Sequence, residues 1–126
     1  MSKLPKPISD SPGWSTCSKF GDYQIFIEED DKIQIPHFHV VDTKTYGEKF
    51  HCRILINKPH YYKGETSKLS KENIKLMCQV LDSNIKHSFI DQPVTGWQDI
   101  INSWIDNNSK TLKLNKTRPN YEEKLK

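Results

Sequence analysis

The sequence predicts an α+β fold: a small antiparallel meander sheet packed against two amphipathic helices, with irregular N- and C-terminal arms. Three observations carry this. Short runs rich in β-branched and aromatic residues alternate in the first half of the chain, two helical stripes follow in the second half, and proline, serine or lysine crowd both ends. A length of 126 residues fits one cooperative unit, divided here into an arm over 1–13, a domain over 14–108 and a basic tail over 109–126.

Residues 1–13 hold three prolines and the turn signal Pro12-Gly13, so ordered structure is expected to begin near Trp14. Tyr23-Gln24-Ile25-Phe26-Ile27 reads as a strand, Glu28-Glu29-Asp30-Asp31 as an acidic tip, and Lys32 to Val41 as the return strand. Four carboxylates in a turn invite a cation, but the tip lacks the glycine and ligand spacing of a calcium loop. Pro36 cannot donate to a ladder, which predicts that the return strand is an edge, or is bulged or bent there. Asp42 to Glu48 reads as a turn and Phe50 to Asn57 as the third strand of a meander.

Ser70 is the expected N-cap of the first helix, whose buried face is Ile74, Met77, Cys78, Leu81 and Ile85. The second helix begins at Thr95-Gly96-Trp97-Gln98, a capping-box pattern, and carries the stripe Trp97, Ile100, Ile101, Trp104 and Ile105. Both tryptophans are expected to anchor that helix in the core.

Charge and cysteine usage narrow the function classes. Of 19 Lys and Arg, six fall in residues 110–126 beside two Glu, so a near-neutral body carries a basic tail. Cys17, Cys52 and Cys78 form no CxxC pair and read as reduced thiols, and no apolar run reaches the roughly 18 residues of a membrane span, so a cytoplasmic protein without membrane contact is expected. No Gly-x-Ser-x-Gly elbow or phosphate-cradling glycine loop is present.

Two constellations carry chemistry. His37 and His39 stand at i, i+2 on one strand with His51 on the next, a pattern that can hold a divalent metal, with Asp42 or Asp22 available as a carboxylate. The same face also carries Ile33, Ile35 and Val41, which turns the imidazoles toward the core unless Pro36 introduces a bulge, and leaves them as hydrogen-bonded structural histidines. The loop 58–68 interleaves Lys58, His60, Tyr61, Tyr62 and Lys63. Such a surface suits a protein or ribonucleoprotein partner, or single-stranded nucleic acid, with Arg118 and Tyr121 of the tail as further contacts; the other reading packs the tyrosines on the sheet edge and leaves the lysines to solvate the loop.

The segment Ile35-Pro36-His37-Phe38-His39-Val40, between a hairpin strand and the Phe50 to Asn57 strand, resembles the Pro-His-Phe-His-Val signature of a small bacterial and phage domain family, over roughly residues 20–108. Trp97, Trp104 to Ser109, and Arg118-Pro119-Asn120-Tyr121 resemble the C-terminal part of related phage or Bacteroidetes-type proteins. Members are sometimes encoded in toxin–antitoxin-like pairs, and the family has no assigned reaction. The resemblance therefore implies a mobile-element accessory protein that acts by covering a partner's working surface, and the absence of a complete catalytic set favours a binding protein with no resident cofactor over an enzyme. The alternative from the histidines is a metal-dependent hydrolase or nuclease.

Overall fold

Gly21 and Asp22 fold the chain back between two strands, β1 (Trp14–Phe20) and β2 (Tyr23–Glu28), with Gly21 at φ 55 in the left-handed region. The structure is a computed structural model and describes residues 14–28, 35–45, 47–85, 94–108 and 118–125. The expected acidic tip beyond Glu28, and Ile33, lie outside the described residues. Strand β1 extends the expected three-stranded meander to four. Its register against β2 shifts between Thr16 and Lys19, and the Gln24 amide donates to the Cys17 and Ser18 carbonyls at 2.8 and 3.2 Å, satisfying backbone that the shift releases.

The sheet runs β1-β2-β3-β4, all antiparallel, with β3 at His37–Asp42 and β4 at His51–Leu55. Strand β3 is therefore interior, not an edge. Pro36 is compatible with this because it lies one residue before the strand, where its missing N–H interrupts no ladder, and its carbonyl accepts from Ile56 N at 3.0 Å.

Ile25, Ile27, Phe38, Val40, Cys52 and Ile54 line one face of the sheet and form the core with two helices, α1 (Lys71–Asp82) and α2 (Gly96–Asn107). Their buried stripes are Ile74, Met77, Cys78 and Leu81, and Trp97, Ile100, Ile101 and Trp104. Both expected caps form. Ser70 Oγ accepts from Asn73 N at 3.2 Å, and Thr95 Oγ1 accepts from Gln98 N at 3.0 Å. The Gln98 side chain donates to Asn102 instead of returning to the cap.

Two stripe residues depart from expectation. Helix α1 stops at Ser83, which takes extended dihedrals, so Ile85 lies in a short strand, β5 (Asn84–Ile85), paired with β6 (Val94–Thr95). Ile105, at the margin of the α2 stripe, is 52% exposed. At the junction of the two helices a Cβ on Gly96 would stand 2.8 Å from the Val80 carbonyl oxygen, so only glycine lets α2 start this close to the end of α1.

The described part of the tail completes the core. One helical turn, α3 (Tyr121–Lys124), buries Tyr121 edge-on to Phe38 and Trp97, and its hydroxyl approaches the Leu55 and Ile56 carbonyls at 3.1 and 3.2 Å. Arg118 pairs with Asp82 at 2.8 Å and Glu122 at 3.3 Å. Residues 118–125 are thus fastened to α1 and β4, with one helical turn in a tail expected to be irregular. Among the described residues no helix is long and apolar enough to cross a membrane.

Candidate functional site

The sheet's second face carries the histidines. Because Phe38 and Val40 point to the helices, His37, His39 and Val41 point the other way, and register places His39 between Phe26 of β2 and Arg53 of β4. His51 pairs with Val41, which makes it the diagonal neighbour of His39, within reach of its ring. The two imidazoles meet, with His39 Nδ1 2.7 Å from His51 Nε2. One nitrogen donates and the other accepts, so the two rings take complementary roles in this contact. His37 Nδ1 lies 2.7 Å from the Ile35 carbonyl, which can only accept, so this nitrogen carries the proton.

All three rings are buried, at 0, 4 and 8% exposure for His37, His39 and His51. His39 stacks on Phe26 with centroids 5.2 Å apart and planes 9° apart, and His37 stands 4.9 Å from His39 and 5.2 Å from Trp104. The expected trio therefore does come together. Its geometry is that of a hydrogen bond: two imidazoles on one tetrahedral zinc would hold their nitrogens about 3.3 Å apart. Among the described residues no group of three or more His, Cys, Asp or Glu is placed to hold a metal ion.

The remaining chemical groups near the sheet have structural tasks. Partial burial by itself would raise the Asp42 carboxyl, but hydrogen bonds from the Thr45 hydroxyl and from the Thr45, Gly47 and Phe50 N–H groups hold it below the usual aspartate value. It organises the β3–β4 turn, so one of the two carboxylates expected to assist the histidines is engaged elsewhere. Burial, then the charge of Asp99, pushes the Cys17 thiol up to about 12. Burial raises Cys52 as well, and it raises Cys78 to about 11 against the opposing charge of Arg118. None is a thiolate nucleophile at neutral pH.

The loop 58–68 behaves differently. Its segment 60–62 adds to the β4 edge: Leu55 N donates to the His60 carbonyl at 3.0 Å, Tyr62 N to the Arg53 carbonyl at 2.9 Å, and Tyr61 bridges Ile54. Gly64, at φ 91, then turns the chain so that Lys63 is exposed at the tip. Beside this turn runs an open groove of about 300 Å³, lined by His60, Tyr61, Tyr62, Lys63, Gly64, Glu65 and Lys68 on one side and by Lys124 and Leu125 of the C-terminal segment on the other.

Four of the seven expected binding residues, His60, Tyr61, Tyr62 and Lys63, thus share one groove. Lys58 is exposed but does not line it, Arg118 is held by Asp82 and Glu122, and Tyr121 is in the core. Lys68 and Lys124 are additions. Lys68 lies inside the loop as read from sequence, whereas Lys124 carries no local signal and arrives only because Tyr121 docks. A larger groove of about 590 Å³ separates the start of α1 from α3, but Lys71 and Lys75 there face Glu72, Glu122 and Glu123, so its charge is mixed.

No protein-family model, curated protein or solved structure matches this chain.

Proposed function

We propose that this protein is a non-enzymatic binding module, a cytoplasmic accessory protein of a phage, prophage or toxin–antitoxin-like element, which captures a protein or ribonucleoprotein partner through the groove beside β4. The observation that carries the binding reading is the convergence of His60, Lys63, Lys68 and Lys124 on one open groove from segments some 60 residues apart. By contrast, His37, His39 and His51 are enclosed in an aromatic and hydrogen-bonded cluster, and the thiols are held protonated. The mobile-element setting rests on the resemblance at Pro36 to Val40.

Affinity capture from host lysate tests this, with Lys63→Glu/Lys68→Glu/Lys124→Glu as the control. A defined partner retained by the native chain and lost by the folded triple variant is the expected result. Equal capture by both, or none by either, would remove the groove as the working surface. The metal-dependent hydrolase reading keeps one supporting observation, the approach of the three imidazoles. Near-stoichiometric metal in the native protein, absent from His37→Ala/His39→Ala, would establish it in place of the binding reading.

A further inference from the structure

We infer that the groove beside β4 receives a short, extended, acidic protein segment, recognised by its carboxylates and its backbone. This rests on the binding reading above and specifies the chemistry of the partner.

Charge comes first. Lys63, Lys68 and Lys124 all line the groove, and its one carboxylate among the described residues, Glu65, is withdrawn into an ion pair with Arg53 that leaves its side chain 7% exposed. The field inside is therefore positive, and anions are favoured. The positive region is also short. Glu122 and Glu123, both exposed, immediately precede Lys124, and with Glu72 they line the adjoining groove. A nucleic acid carries a charge on every nucleotide and tracks a basic groove over about 4–16 of them, so it would run onto these carboxylates, whereas a short acidic peptide ends before them.

Ring availability points the same way. Single-stranded nucleic acids bind by stacking bases on open aromatic faces. Here Lys68 Nζ stands over the Tyr61 ring at 5.5 Å, while that ring also packs on the core, and the Arg53 guanidinium covers Tyr62 at 4.5 Å. The Tyr61 hydroxyl is likewise engaged, accepting from Leu69 N at 2.9 Å. Both tyrosines have become walls.

The backbone supplies the third argument. His60 and Tyr62 direct a carbonyl and an N–H to β4, so the alternation of an extended chain turns the Tyr61 N–H and C=O away from it. That outward side accepts another extended polypeptide by strand addition, a mode open to peptides and closed to nucleic acids.

Fluorescence anisotropy on the full chain tests this with two labelled probes of matched charge, the decapeptide (Glu-Thr)5 with blocked termini and hexauridylate RNA with free 5′ and 3′ hydroxyls. The peptide is expected to bind at least about tenfold tighter, to weaken as salt rises, and to lose about tenfold in Lys63→Glu/Lys68→Glu, while Lys58→Ala, at an exposed position outside the groove, leaves it within about twofold. Tighter RNA binding that Tyr62→Leu abolishes would overturn the acidic-segment inference and leave the groove as the binding surface. Peptide binding unchanged by the lysine reversals, or absent at millimolar peptide, would also overturn it. The lysate capture decides separately whether the groove itself fails.

Discussion

The histidine face of the sheet and the groove beside β4 hold the same kinds of residue, imidazoles, aromatic rings and cations, under opposite conditions. His37 is fully enclosed against Trp104 and His39, whereas His60, 23 residues on, is exposed in the groove wall. On the face, polar atoms bond to one another and contribute to folding. In the groove, several cations converge and, among the described residues, the one carboxylate is already paired. Residue type nominates both regions; access to solvent separates them.

Substitutions on the two sides should therefore differ in kind. The largest effect is expected on the buried side: Trp104→Ala, which empties the C-terminal end of the α2 stripe beside His37, should cost about 3–5 kcal/mol in denaturant unfolding. Next is His51→Leu, which leaves His39 Nδ1 buried without its imidazole partner, at about 1–3 kcal/mol; adding His39→Leu should recover part of this, because removing both partners leaves less buried polarity unmet. Strictly additive costs in that cycle would deny the coupling.

Asp42→Ala should cost about 1–2 kcal/mol at neutral pH through the lost turn bonds. The folded carboxyl lies below its ordinary value of 3.8, so its contribution is full above that pH and is lost as pH falls through the folded value. The acid limb of a stability–pH curve should accordingly flatten in Asp42→Asn. The smallest change in stability, within about 1 kcal/mol, is expected for Lys63→Glu/Lys68→Glu, whose lysines are both exposed and lose only the contact of Lys68 with the Tyr61 ring. A large loss there would mean that the groove wall is part of the folding unit.

Much of the architecture is legible in the sequence because it repeats. The α2 stripe and its Thr95 cap, the Ser70 cap, and the alternation around His37 to Val41 each express a local period, and each has its counterpart in the structure. Strand β1 escapes such a reading because Ser15, Thr16, Cys17 and Ser18 give no apolar alternation, although Gly21-Asp22 between two runs is a hairpin signal that could locate it. The burial of Tyr121 has no such signal, since one helical turn is too short to display a period, and the place of Lys124 depends on it. The approach of His39 to His51 is set by strand register, which the spacing of residues on separate strands does not determine.

If the groove binds and the histidine face only supports, the two regions must separate in a single assay: capture of the partner from host lysate by three folded forms, the native protein, Lys63→Glu/Lys68→Glu, and His39→Leu/His51→Leu. The histidine variant is expected to keep the partner and the lysine variant to lose it. Retention by the lysine variant with loss by the histidine variant would contradict that division of roles.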